Sequence, residues 1–132
     1  MSAHLCIAHL VRHHATPSRA LLARIKEKTV RKRFTASIIF AGAAHMRLLN
    51  HAYRKKSYTP NVLAFRLGKA EGEVFVCPSA AAREARATGT PPAARVAYLV
   101  IHGLLHLKGG VHSATMTQSE KRLCRFFKLP PP

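Results

Sequence analysis

The stretch Ile101-His102-Gly103-Leu104-Leu105-His106-Leu107-Lys108-Gly109-Gly110-Val111-His112 decides how the rest of the chain is read. Its apolar residues continue a helical pattern that Pro91-Pro92 opens and Gly109-Gly110 stops, which predicts a helix from Ala93 to about Lys108. His102 and His106 lie one turn apart, so their imidazoles project from one face with Cβ atoms about 5–6 Å apart. Two imidazoles at that spacing can meet one ion at about 2.0–2.1 Å. Glycine reaches positive φ cheaply, so the chain can reverse after the helix and return His112 to the pair. Three neutral imidazoles and one open position make a catalytic metal site rather than a closed structural one.

Nine histidines in 132 residues give about 0.6 HxxxH pairs by chance, so the pair alone says little. A third histidine at one fixed later position lowers the expectation to about 0.04. His9 and His13 form a second pair, but His9, His13 and His14 lie in a strand and turn pattern with nothing to redirect a third ligand. Zinc peptidases carry a Glu beside the first His as general base, whereas here the neighbour is Gly103. Phosphodiester cleavage, which needs cationic stabilisation of developing charge, suits the chain better than peptide hydrolysis.

Composition supplies those cations. There are 22 Lys and Arg against 5 Asp and Glu, a formal charge of +17 with no Asp at all. Such a charge favours a polyanionic partner, either nucleic acid or an anionic membrane surface. A hydrophobic content of 48% excludes full-length disorder, and the length suits one domain spanning 1–132 with a short Pro-rich tail at 128–132. No run approaches the roughly twenty apolar residues of a membrane span. Cys6, Cys77 and Cys124, widely spaced and without a CxxC, read as reduced core thiols. The start lacks the pattern of a secretory signal, so a cytoplasmic location is expected, with an organellar one as the lesser reading.

Around the histidine helix the periodicities predict strands at His4 to Val11, Phe34 to Phe40, Val62 to Leu67 (an edge strand) and Glu73 to Cys77. Helices are expected at Arg19 to Arg33, Ala43 to Tyr53 with Met46, Leu49 and Tyr53 on one face, Pro78 to Thr88, and Thr117 to Phe127. The mixture lacks a regular βαβ alternation and favours α+β. Phe65, Phe75, Phe126 and Phe127 sit at spacings that suit core packing, and Arg24, Lys26, Lys28, Arg31, Lys32 and Arg33 form either a phosphate-tracking or a solvated face.

His102 to His112 resembles the HGxLHLxGxxH signature of the YbeY family, metal-dependent endoribonucleases of ribosomal RNA maturation. Leu49-Asn50-His51-Ala52-Tyr53-Arg54 is similar to that family's LNxxYR segment, Thr59 to Phe65 to its TNVLSF strand, Gly72-Glu73-Val74 to its GD-hydrophobic strand, and Met116 to Glu120 to the start of its trailing helix. The resemblance is strongest over 37–127. It implies an α+β, zincin-like fold, a small mixed sheet packed against helices including the HxxxH metal helix. It also implies one divalent metal, zinc first, on His102, His106 and His112, and a single-strand-specific endoribonuclease acting on 16S 3′-end processing, with ribosomal RNA and the small subunit as partners. On the same grounds Arg54 is expected to face the metal cleft and clamp a scissile phosphate. Lys55 and Lys56 would steer the RNA backbone or remain surface charge, and Asn61 would orient substrate or cap a turn. Val111 stands where the family most often has Asp, and Glu73 replaces another Asp. The alternatives are a non-catalytic RNA-binding assembly factor and a metallopeptidase or small-molecule hydrolase using the same histidines.

Overall fold

Four strands and five helices make up the fold of the computed structural model, which describes residues 4–13, 15–109 and 114–132. In chain order they are β1 (Leu5–His9), α1 (Arg19–Thr29), β2 (Thr35–Phe40), α2 (Ala43–Arg54), β3 (Val62–Gly68), β4 (Glu71–Val76), α3 (Pro78–Thr88), α4 (Pro92–Leu107) and α5 (Ala114–Phe126). The sheet order is β1-β2-β4-β3. β1, β2 and β4 run parallel, and β3 pairs antiparallel with β4 at the edge. The expected mixed sheet and edge strand are therefore present, although the parallel pairs dominate the sheet more than an α+β reading suggests.

Alternation along the strands sorts side chains onto two faces. Val74 and Val76 of β4, with Ala36, Ile38 and Phe40 of β2, enter the main core beside Leu22 and Ile25 of α1 and the apolar side of α4. Leu63, Phe65 and Phe75, of the other parity on β3 and β4, gather with Met46 and Leu49 of α2 in a second cluster. Helix α4 runs across β3 and β4 and also packs against α1, α3 and α5.

Several expectations need correction. Helix α1 ends at Thr29, four residues early. The Thr29 hydroxyl donates to the Ile25 carbonyl at 2.8 Å, and the Lys26 ammonium donates to the Lys32 carbonyl at 3.0 Å, so the chain beyond the helix folds back onto its last turn. Lys26 is 2% exposed and is no part of a phosphate-tracking face. Cys6 is exposed, unlike the buried Cys77 and Cys124, because it points away from the core on the outer strand β1. Phe126 is half exposed, packed edge-on against Phe127 and covered by the Lys28 ammonium 4.6 Å from its ring centre. Tyr53, read onto the apolar face of α2, is mostly exposed, since the core lies under Met46 and Asn50 one turn back.

Candidate active site

Helix α4 seats unusually close to the sheet. A Cβ added to Gly103 would lie 2.5 Å from Val74 Cγ1 on β4, and one added to Gly72 would lie 2.8 Å from Leu107 Cδ2. Two glycines, one on the helix and one on the strand, thus allow the approach. The C-terminal end of α4 is tied down by Arg66, whose guanidinium donates to the Leu107 carbonyl at 2.7 Å and to the Lys69 carbonyl at 2.7 Å. Lysine or leucine at position 66 could not serve both carbonyls from one planar fork.

This seating directs His102 and His106, both half-buried, toward a cleft. Their Nε2 atoms stand 3.2 Å apart, with the rings inclined at 70°. Two bonds of about 2.0–2.1 Å meeting at a tetrahedral centre would separate their donor atoms by about 3.3 Å, so the pair fits a shared ion such as zinc. Glu120 of α5, 7% exposed, holds the far side of His102, with Oε2 2.5 Å from Nδ1. Its other oxygen accepts from the Tyr98 hydroxyl at 3.1 Å. Burial, reinforced by the Glu120 charge, pushes the Tyr98 phenol well above its ordinary pKa, which keeps it a donor. A carboxylate on Nδ1 assigns the proton to that nitrogen and leaves the Nε2 lone pair facing the cleft.

His112, expected as the third ligand, and Val111 and His14 lie outside the described residues. Among the described residues no group of three His, Cys, Asp or Glu is arranged to hold a metal.

The cleft encloses about 810 Å³ between α4, β3 and the loop that follows α2. Arg54, the last residue of α2, lines it as the histidines do, together with Tyr53, Tyr58 and Asn61. Lys55 adopts the left-handed conformation (φ 59°) that closes α2, and it and Lys56 are exposed beyond the lining residues. Asn61 is engaged inside the protein: its amide donates to Glu84 Oε2 at 2.8 Å, and Glu84 Oε1 accepts from Arg95 Nε at 2.8 Å. Neither a turn cap nor a free amide describes it. Asn50, fully buried, donates to the Tyr58 carbonyl at 3.0 Å and anchors the loop.

Sequence reasoning overlooked Glu120, Tyr98, Glu84 and Asn50. The one available signal was that Glu120 and Asn50 both fall inside motif segments already set apart, as a helix start and as the Asn of Leu49-Asn50.

A family model for endoribonuclease YbeY matches residues 9–126, from the last residue of β1 to the last of α5. The chain belongs to the endoribonuclease YbeY family. The match reaches further toward the N-terminus than the expected 37–127. An endoribonuclease YbeY of Thiobacillus denitrificans is 32% identical over 126 residues, 88% of this chain and 86% of that one. One of Aromatoleum aromaticum is 37% identical over 102 residues, 75% of this chain and 66% of the relative. One of Bordetella petrii is 42% identical over 81 residues, 58% of this chain, and there the chain spans only 52% of the relative's length. In fold, the chain is similar to a solution structure of a Thermotoga maritima protein, with a TM-score of 0.61 at 24% identity, covering 94% of this chain and 91% of that one. The YbeY match takes in both histidines, Arg54, Asn61 and Glu120. Among the described residues no helix is long and apolar enough to cross a membrane.

Proposed function

We propose that the chain is a metal-dependent endoribonuclease of ribosomal RNA maturation. It cuts single-stranded RNA at the 3′ end of 16S rRNA on the small subunit, in the cytoplasm, from a zincin-like site in which His102, His106 and His112 hold one zinc ion. The observation that carries this reading is the 3.2 Å convergence of His102 Nε2 and His106 Nε2, with Glu120 on His102 Nδ1, in the cleft that Arg54 lines. Membership of a family whose relatives are named endoribonucleases supports the substrate class.

When bound, the metal supplies Lewis acidity toward a phosphoryl oxygen and a nucleophile at neutral pH. The protein does the positioning. Glu120 holds the Nδ1 proton of His102 and fixes its ring, and Tyr98 holds Glu120. Arg54 presents a planar pair of donors to the non-bridging oxygens, where charge grows as the phosphodiester is attacked. Lys55 and Lys56, outside the cleft wall, act at longer range by drawing in the RNA backbone. Asn61 acts by keeping the β3 entrance and α3 in register through Glu84. Peptide hydrolysis gains no support, because the position beside His102 that would carry its general base is filled by the seating of α4 on Val74.

The test joins elemental analysis after zinc reconstitution to cleavage of a small-subunit rRNA fragment with a single-stranded 3′ extension. One equivalent of zinc, lost together with cleavage in His106→Ala, is the expected result. Full metal-independent cleavage would refute the metal reading, and metal binding without cleavage would favour the assembly-factor alternative.

A further inference from the structure

Six large hydrophobic residues are strongly exposed among those described, and two of them, Tyr53 and Tyr58, line the cleft. They stand on either side of Arg54 in the chain and are 70% and 58% exposed. An aromatic ring left in water beside a catalytic cleft forgoes the burial that the rest of the apolar residues achieve.

Both are held in place. The Tyr53 ring rests against Phe65, with centroids 5.3 Å apart, and Phe65 meets Phe75 edge-on at 5.9 Å. Tyr53 is thus supported from beneath by an aromatic stack that belongs to the second core cluster. Tyr58 is fixed through its backbone, whose carbonyl accepts from the buried Asn50 amide at 3.0 Å. A supported ring with an open face loses little conformational freedom when a second planar group settles on it. Unpaired nucleobases are such groups, and stacking on aromatic side chains tolerates any base because each has a π-face. Bases in a duplex are already stacked on one another and cannot offer theirs.

We propose that Tyr53 and Tyr58 form an unpaired-base subsite, on which nucleobases near the phosphate held by Arg54 stack. This rests on the endoribonuclease reading, and it assigns the preference for single strands to two named rings rather than to charge.

A short single-stranded oligonucleotide with phosphorothioate linkages, which resist attack by a metal-activated nucleophile, serves as the probe. The chain has three Tyr and no Trp, and Tyr98 is hydrogen-bonded to Glu120, so a change in tyrosine emission on binding reports mainly Tyr53 and Tyr58. Tyr53→Ala and Tyr58→Ala should each weaken binding about 10-fold, within the usual range for one stacked base. Tyr53→Phe and Tyr58→Phe should retain parental affinity, which separates the ring from the hydroxyl and from misfolding. Replacing single bases in the probe by abasic sites should cost about 10-fold at one or two positions in the parent, and each alanine variant should lose that cost at the position its own ring serves. Equal affinity of the parent and both alanine variants, with the parent binding RNA normally, would overturn the subsite and leave the rings for a protein surface. A parent that binds no RNA at all would instead remove the endoribonuclease reading, and the subsite with it.

Discussion

Gly103 of α4 and Val74 of β4 approach so closely that the smallest side chain at position 103 would stand 2.5 Å from Val74 Cγ1. Val74 is fully buried, and a β-branched side chain has little freedom to turn aside. The residue that separates the two histidines of α4 from an ordinary zinc-peptidase pattern is therefore set by packing.

Replacing Gly103 with Ala sets two effects against each other. Helix propensity favours Ala by about 1 kcal/mol, whereas overpacking a tight contact costs about 1–3 kcal/mol. With the neighbour buried and stiff, the second effect wins, and a net loss of about 1–2 kcal/mol is expected in urea unfolding. Gly103→Glu should unfold more easily still and gain no peptidase activity. A Gly103→Ala variant as stable as the parent would show that α4 can lift away from the sheet at no cost.

Glu120→Gln keeps the size of the side chain and a hydrogen-bonding oxygen for His102, but removes the charge that strengthens the imidazole as a donor. Loss of such a supporting carboxylate commonly weakens metal binding about 10- to 100-fold. Competition against a zinc-binding dye should show that loss, with Glu120→Ala at least as weak and Glu84→Gln unchanged, since Glu84 touches neither histidine. Unaltered zinc affinity in Glu120→Gln would detach Glu120 from the metal centre.

Arg54→Lys preserves charge and removes the planar fork. Cleavage should fall about 10²- to 10³-fold, as for loss of one preorganised donor to a transition state. The salt dependence of RNA binding should be almost unchanged, because its slope, about 0.7 per neutralised phosphate on a single strand, counts charges and not their shape. Parental cleavage by Arg54→Lys would make Arg54 ordinary surface charge.

Lys26 gives a pH prediction. Desolvation lowers its pKa from the ordinary value, with the Glu27 charge opposing more weakly. A depressed folded-state pKa means that, as pH climbs through it toward the unfolded value near 10.4, the unfolded chain binds more protons than the folded one. The penalty of burying the ammonium is then relieved, so the stability of the parent relative to Lys26→Met should rise with pH across that alkaline window. A difference that is flat, or falls, between neutral pH and about 10 would mean that Lys26 is solvated.

Local signals carried most of the fold. Gly89 ends α3 at φ 68° as its position after Thr88 suggests, Pro91-Pro92 opens α4, and short runs rich in β-forming apolar residues mark β2 and β4 within two residues of their ends. The histidine pair and Arg54 were legible for the same reason: a helical turn or a motif fixes them locally. Glu120 was not, because its meaning comes from a contact 18 residues away that depends on how α5 packs on α4. Lys26 and Tyr53 fail in opposite directions. A lysine was assumed to be solvated and finds carbonyls inside, while a tyrosine at apolar spacing falls past the edge of the core its helix covers.

Glu84, shared between Asn61 and Arg95, makes the one Lys or Arg ion pair to a carboxylate among the described residues. In a chain of +17 this leaves compensation of positive charge largely to the surrounding solution. Added salt, by shortening the screening length from about 10 Å at 0.1 M, should relax internal repulsion and raise the melting temperature while it loosens the grip on RNA. Stability and affinity then respond to ionic strength with opposite signs, and at low salt the protein's most effective counterion is its own ligand.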